Sequence, residues 1–337
     1  MTQETEILSL DAAVALIQSA VRAQGVAENA AHSVALALVS AEAEGQVGHG
    51  FSRLADYAAQ VRSGKVNPAA VPQLTEAGSA AVVVDAQNGF AYPALDAAID
   101  WGTRAAREHG CASMSITRSH HCGALSVQVE KIARHGLIGL MVANSPPAIA
   151  PWGAHVPMFG TNPIAFAAPR PNGDPLVIDL SLSRVARGKV MHARKSGTSI
   201  PEGWALDKNG APTTDPEAAL AGTMVPIGEA KGTALALMVE VLAAVLTGAN
   251  PSAQVSSFFT ADGPPPGAGQ FLLALRPHDG VDFASRLEGV LTAIAALDGA
   301  RLPGTRRADA LETAQNNGIA VPLAYLDIAR KLAMRDA

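Results

Sequence analysis

Two cysteines in 337 residues, Cys111 and Cys122, are too few for a disulfide framework. Reduced thiols suit a cytoplasmic protein, and that is the expected location. No run of Lys and Arg stands out in a chain of formal net charge −5. A nucleic-acid backbone, which selects clustered cations, is therefore not an expected partner. The longest apolar stretch, Thr233 to Ala249, contains Glu240 and is short for a membrane span, so it reads as a buried helix. The N-terminal MTQETEILSLDAAVALIQ lacks a basic segment ahead of an apolar block, and no signal peptide is expected. His120, His121 and Cys122 are adjacent but have no C-x-x-C or H-x-x-x-H companion, so no metal site is expected. No G-x-G-x-x-G follows a strand and opens a helix; the glycines at 267 and 269 precede a strand, which is the wrong order. Either no dinucleotide binds, or it binds on a different scaffold.

What is present is apolar mass: 48% hydrophobic against 16% charged residues. That allows a large core, one large or two moderate domains, and an oligomer interface. Ser9 or Asp11 suits the cap of a first helix carrying Val14, Ile17 and Val21 on one face. GVAENAAHSVALALVSAEAEG reads as a second helix. SRLADYAAQVRSGKV reads as a third, with Leu54, Tyr57 and Val61 at helical spacing and Gly64 past its end. The first seventy or so residues are expected to be helical. Beyond them strands and helices alternate: AAVVVD, CASMSITRS, LIGLMVANSP, NPIAFAAPR and DPLVIDLSLS as strands, with YPALDAAIDWGTRAAREHG and ALSVQVEKIARHG as helices. A polar loop covers Gly197 to Pro216. GPPPGAG is an exposed loop, GQFLLALRP a late strand and FASRLEGVLTAIAAL a late helix, and the tail from Ala308 is helical again. The expected architecture is a helical domain from residues 1–75 plus 308–337, around an α/β body at 76–307.

Six stretches hold residues suited to chemistry. In EGQVGHGFSRL, His49 stands between Gly48 and Gly50 with Arg53 one helical turn on. This suits either a helix end or an imidazole and a guanidinium converging on a small acid. SHHCGALS follows a strand and opens a helix, whose free N–H groups suit an anion or are simply capped. Thr161 and Asn162 precede a strand and suit a ligand carboxylate or their own turn. Asp179 ends an apolar strand, and Arg184, Arg187 and Lys189 cluster around Gly188. Lys231 sits at a helix entrance, where a cation is disfavoured by the dipole, and ARLPGTRR places three arginines around a Pro-Gly turn.

In order, GHGFSRL, SHHCGALS, NSPPAIAPWGAHVPMFGTNPIAFAAP, VIDLSLSRVARGKV, IPEGWALDKNGAPTTDP and GEAKGTALALMVEVLAAVLTGA resemble the second family of malate/lactate dehydrogenases. This group is unrelated to the Rossmann lactate dehydrogenases. The likeness spans nearly the whole chain and is greatest to the Δ1-piperideine-2-carboxylate/Δ1-pyrroline-2-carboxylate reductases. It implies an α/β (α+β) fold, with a largely antiparallel, non-Rossmann sheet holding a nicotinamide cofactor, and a homodimer. It implies a catalytic role for His49, with Lys189 beside it, and substrate contacts from Arg53, Thr161, Arg187 and Gly188. Cofactor contacts are implied for His121, Cys122, Gly123, Ala124, Leu125, Asp179, Leu180, Ser181, Lys231, Arg301, Gly304, Arg306 and Arg307. The arginines favour NADPH, with NADH possible. The expected reaction is NAD(P)H-dependent reduction of a cyclic imino acid to L-proline or L-pipecolate. The alternative is dehydrogenation of a 2-hydroxy acid of malate, lactate, ureidoglycolate or sulfolactate type; a non-catalytic binding protein is the third reading. One departure stands out: the family's serine before the catalytic histidine is Gly48 here.

Overall fold

The two ends of the chain meet in a ribbon. β1 (Thr5–Leu8) runs antiparallel to β12 (Ile319–Pro322), with Glu6 opposite Val321. The computed structural model describes residues 4–171, 173–278 and 282–334. α1 (Leu10–Arg22), α2 (Glu28–Ala43) and α3 (Leu54–Arg62) pack with α11 (Leu323–Ala333). The Ser9 hydroxyl caps α1, accepting from Ala12 N at 3.2 Å. Ile17, Leu38, Leu54 and Tyr57 share one core with Val321 and Leu326, so residues from both termini bury the same surface. The N-terminal region is not wholly helical. β1 is too short to display a two-residue period, and β2 (Gln73–Gly78), exposed along its whole length, has no apolar face to betray it.

The main sheet has seven strands in the order β2, β3 (Ala81–Asp85), β4 (Cys111–Ser119), β11 (Ala268–Leu275), β5 (Ile138–Ala143), β6 (Ile164–Ala168), β7 (Leu176–Leu180). Every neighbouring pair is antiparallel except β3 and β4, which α4 (Ala91–His109) connects. AGQFLLAL is buried along almost its full length because β11 lies mid-sheet, between strands that precede it by well over a hundred residues. α4 and α5 (Leu125–Arg134) cover one face, over Val84, Met114, Ile116 and Met141. The other face carries Val142 and Phe271 against α6 (Arg187–Ser196), α7 (Pro216–Ala221) and α8 (Ala230–Glu240). With a single parallel pair, β3 and β4, the sheet is not the doubly wound parallel kind in which the glycine fingerprint belongs.

Three features depart from the sequence reading. The polar loop after Gly197 contains β8 (Ala205–Leu206) and β9 (Pro212–Thr213), which with β10 (Thr223–Met224) form a three-stranded sheet. In GPPPGAG the first residues are exposed but Pro266 and Gly267 are buried, where the segment enters β11. The apolar helix α8 continues through a π-turn, Val241–Val245, and is not buried all round: Leu237, Val241, Val245 and Leu246 are exposed. The late segments are α9 (Phe283–Ala295) and α10 (Thr305–Asn317).

Candidate active site

Between α2 and α3 the chain makes two successive 3₁₀ turns, Val47–His49 and Phe51–Arg53. Glu42, buried on α2, holds them from below, its carboxylate accepting from Phe51 N at 2.8 Å. Burial raises the Glu42 pKa, against the Phe51 N–H. A Cβ on Gly50 would stand 1.9 Å from Glu42 Oε2, so glycine is required here by close approach. Gly48 faces open space, and among the described residues no side chain takes the place of a serine: His49 Nδ1 is buried without a hydrogen-bond partner there. Burial, and then the Arg53 charge, lower the His49 pKa to about 4, which leaves the ring neutral near pH 7.

Arg53 is 3% exposed. Its Nη2 donates to Phe258 O at 2.6 Å, Nη1 lies 3.2 Å from Asp56 Oδ2, and the Phe259 ring sits 4.4 Å from the guanidinium carbon. Its Nε is buried with no partner. The loop bearing Phe258 is pinned by α3 and the residues after it. Lys65 Nζ donates to the carbonyls of Ser257, Thr260 and Asp262 at 2.7, 3.0 and 2.8 Å, and Gln60 Nε2 donates to Thr260 O at 3.1 Å.

The facing wall is the passage from β4 into α5. The His121 ring stacks on His49, with centroids 5.3 Å apart and planes at 12°. His121 Nδ1 lies 2.6 Å from Tyr57 Oη, which lies 2.9 Å from Tyr92 Oη. Gly123 adopts φ +68°, and a Cβ there would stand 2.8 Å from Tyr92 Oη; the backbone passes too close to the phenol for any side chain. His120 lies among Tyr57, Phe90 and Phe258, and Cys122 is buried; among the described residues both His120 ring nitrogens are without a hydrogen-bond partner.

At the start of α5, three distant cofactor candidates meet. Asp179 Oδ2 accepts from Ser126 N at 2.8 Å; crowding by protein raises its pKa, opposed by that N–H and by Arg307. Ser126 Oγ donates to Glu44 at 3.0 Å, and Arg307 Nη1 pairs with Glu44 at 2.9 Å and Glu130 at 2.5 Å. Gln46 Nε2 donates to Ser126 Oγ at 2.7 Å and its backbone carbonyl accepts from His49 N at 2.8 Å, which ties this network to the turn bearing His49. Gly304 packs a φ of +83° against β7 and brings the Pro-Gly turn to Asp179's strand.

The remaining candidates are not hydrogen-bonded or ion-paired to His49 or Arg53. Thr161 N donates to Ser145 Oγ at 3.1 Å, while Asn162 turns away to Glu240. Arg187 opens α6 with Nη1 on Pro147 O at 3.0 Å; burial lowers its pKa, and it has no carboxylate partner among the described residues. Gly188 is exposed, and Lys189 is exposed with its ammonium 6.0 Å from the Trp204 ring centre, so within one chain it does not join His49. Ser181 Oγ lies 3.2 Å from Ser183 Oγ. Leu180, Lys231, Arg301 and Arg306 are exposed. Sequence reasoning missed Tyr92, Glu42, Glu44, Ser126, Phe258 and Phe259, and placed Tyr57 in the core. Tyr57 carried a usable signal, standing four residues beyond Arg53, which caps the helix that Tyr57 sits on. Phe258 carried none, lying 205 residues from Arg53.

Comparison with known proteins sets this geometry in a lineage. The malate/L-lactate dehydrogenase family model matches residues 8–328. The chain is 47% identical over 331 residues to (2R)-3-sulfolactate dehydrogenase (NADP(+)) of Chromohalobacter salexigens, covering 98% of this chain and 99% of that one. It is 40% identical over 309 residues to a Δ1-pyrroline-2-carboxylate/Δ1-piperideine-2-carboxylate reductase of Pseudomonas putida, covering 91% of each. The crystal structure of Δ1-piperideine-2-carboxylate reductase from Pseudomonas syringae pvar. tomato superposes with a TM-score of 0.92 at 38% identity, over 97% of this chain and all of that one. With the non-Rossmann sheet, and with His49 and Arg53 brought together in two successive turns, these matches show that the chain belongs to the malate/L-lactate dehydrogenase family of oxidoreductases.

Proposed function

We propose that this chain uses a nicotinamide dinucleotide to reduce the C=N bond of a small cyclic 2-imino acid, of the Δ1-pyrroline-2-carboxylate or Δ1-piperideine-2-carboxylate kind. The observation that carries the choice is at His49. Gly48 supplies no hydroxyl, Nδ1 has no partner, and burial with the Arg53 charge holds the ring's pKa to about 4. Such an imidazole is neutral and a weak base. A cyclic iminium already carries its proton and asks little of it, whereas a 2-hydroxy acid must lose a proton. Arg53 takes the ligand carboxylate with its planar fork, under the Phe259 ring that shields the pair from water.

The residues present fit a dinucleotide. The α5 entrance, opened by Gly123 in a conformation no side chain could share with Tyr92, offers backbone N–H groups at a helix start. Bound there, the nicotinamide supplies the hydride; the chain supplies position, charge and exclusion of water. Arg307 is taken by Glu44 and Glu130, so a preference for NADPH rests on the exposed Arg301 and Arg306. Lys231, Leu180 and Ser181 border the same ligand in this reading, and Thr161, Arg187 and Gly188 the substrate; no step is assigned to Lys189. The exposed apolar residues Leu237, Val241, Val245 and Leu246 support a homodimer, which sedimentation velocity tests directly. Among the described residues no helix is long and apolar enough to cross a membrane, and a cytoplasmic location is part of the same reading.

A second reading has its own observations: the likeness to the sulfolactate enzyme, and Arg187, a half-buried guanidinium without a carboxylate. Both suit a 2-hydroxy acid bearing a second anionic group. NADPH consumption with Δ1-pyrroline-2-carboxylate, Δ1-piperideine-2-carboxylate, sulfopyruvate, oxaloacetate and pyruvate separates the two. A higher kcat/KM on the cyclic imines supports the first reading; preference for sulfopyruvate selects the second; no turnover on any of them overturns both.

A further inference from the structure

Tyr57 Oη has two neighbours, Tyr92 Oη at 2.9 Å and His121 Nδ1 at 2.6 Å. Tyr57 and Tyr92 are both fully buried, and burial pushes the Tyr57 pKa up to about 12 and that of Tyr92 well above the ordinary phenol value, so both keep their protons. His121 is neutral: burial, and then the charges of Arg53, His49 and His120, hold its pKa well below the ordinary histidine value. A neutral imidazole has one N–H, and its partner decides which nitrogen carries it.

Counting protons settles the order of the chain. Among the described residues Tyr92 Oη has no hydrogen-bond partner besides Tyr57. If His121 Nδ1 carried the proton, it would donate to Tyr57 and Tyr57 to Tyr92. The Tyr92 hydrogen would then be buried without an acceptor, which folded proteins avoid. In the opposite order Tyr92 donates to Tyr57, Tyr57 donates to Nδ1, and every hydroxyl hydrogen is satisfied. The His121 proton then resides on Nε2, which has no hydrogen-bond partner among the described residues. The ring carrying it lies nearly parallel to His49, and Tyr57 sits on α3 one turn beyond Arg53.

We propose that Tyr57 is a positioning residue: by donating to Nδ1 it fixes His121 as the Nε2–H tautomer, so that a hydrogen-bond donor for a ligand oxygen stands in the stack that orients His49. The inference rests on the reading of His49 and Arg53 as the active site, and it deepens that reading. With no hydroxyl at Gly48, the stack on His121 is the contact that holds the His49 ring, and Tyr57 with Tyr92 anchors the stack.

Histidine-selective ¹⁵N labelling of the free protein tests this without turnover, with the His121 signal assigned by its loss in His121→Gln. Wild type is expected to show an unprotonated Nδ1 and a protonated Nε2. Tyr57→Phe is expected to shift His121 to a mixture of tautomers, and to lower kcat roughly tenfold while the KM for the carboxylate substrate changes by less than about twofold. Tyr92→Phe, which leaves the Tyr57 donation in place, is expected to keep the tautomer. A protonated Nδ1 in wild type overturns the proposal, and so does an unchanged Nε2–H signal in Tyr57→Phe. If Tyr57→Phe does not fold, the wild-type tautomer alone decides. An inactive wild-type enzyme with the expected tautomer overturns the proposed function and leaves this assignment standing.

Discussion

Two clusters of largely buried polar groups, one around Asn162 and one around His49, end in opposite states. In the first, Asn162 Nδ2 donates to Ala236 O at 3.0 Å and to Glu240 Oε2 at 2.9 Å. Ser252 gives Glu240 both its N–H, at 2.5 Å, and its hydroxyl, at 2.6 Å. In the second, His49 Nδ1, Arg53 Nε and both nitrogens of His120 are buried with no partner among the described residues. Burying a polar atom unpaired is costly, so folded chains rarely leave one and very rarely four together. The paired cluster locks α8 to the strand entrance at Asn162. The unpaired one contains the imidazole and guanidinium with the strongest claim to a ligand. Both clusters are largely withdrawn from solvent; satisfaction is what separates the paired one from the candidate site.

The largest expected effect breaks the second cluster. Arg53→Ala removes the cation proposed to hold the carboxylate, and kcat/KM on the best substrate should fall roughly a thousandfold, the scale of a bidentate charge-assisted pair of about 4 kcal/mol. Steady-state kinetics with unchanged thermal unfolding would place the loss in the site; an unchanged kcat/KM would remove Arg53 from it. Glu240→Gln breaks the first cluster in the opposite sense. Its new amide hydrogens would face the Ser252 N–H or the Asn162 amide, all donors, and the chain should lose about 3 kcal/mol of stability. Activity per folded molecule should hold, as read by urea unfolding beside active-site titration. A large change in KM with no loss of stability would erase the distinction between the clusters.

How much of this was legible beforehand follows from distance along the chain. α4, α5, β4 and β5 were readable because each carries its own period and its own stop, Gly110 at φ +87° being one such stop. β1 and β2 were not, one being four residues long and the other lacking a buried face. The exposed side of α8 was hidden because an apolar run looks the same whether its own chain or a second surface covers it. Within the site, His49 and Arg53 stood out by spacing and glycine context. Their setting did not: Phe258 meets Arg53 across 205 residues, and Asp179 and Arg307 meet Ser126 and Glu44 only once the sheet and its helices have assembled. The ARLPGTRR arginines were grouped by composition, and the structure divides them, committing Arg307 to two carboxylates and leaving Arg301 and Arg306 exposed.

Acid sharpens the comparison next, since an unpaired histidine records its burial as a pH dependence. Burial, with Arg53 and Lys65 nearby, lowers the His120 pKa from 6.5 to about 3. Its folded value is depressed and it is neutral in the native state, so the unfolded chain takes up the proton first as pH falls. The contribution to stability is full above 6.5 and is lost progressively towards 3. His49 and His121 act in the same direction. Glu42, Glu44 and Asp179, whose folded values are raised, act in the other, being stabilising at low pH and less so as they ionise. His120→Leu should therefore lose about 2 kcal/mol less than wild type between pH 7 and pH 5, measured by urea unfolding at both. The size change of the side chain cancels in that difference. Identical pH slopes would mean that His120 is paired in solution.

The smallest expected effect supplies what the second cluster lacks. A Cβ on Gly48 meets nothing within 4 Å, so Gly48→Ser can be accommodated without displacing a neighbour, unlike any side chain at Gly50. The added hydroxyl is one residue from the unpaired His49 Nδ1 and can offer it a partner. Accepting the His49 N–H would favour the tautomer with a bare Nε2 and raise the ring's basicity. A stronger base helps oxidation of a 2-hydroxy acid, where a proton must leave, more than reduction of an iminium, where none need arrive. Gly48→Ser should therefore raise kcat for 2-hydroxy-acid oxidation about threefold to tenfold while cyclic-imine reduction changes by less than about twofold, with stability within about 0.5 kcal/mol of wild type. The ratio of the two rates in a single preparation is the measurement. A ratio unmoved by the serine would mean that the vacant partner at His49 has no part in choosing between C=N and C–OH chemistry, and that the choice is made by the groups that grip the rest of the substrate.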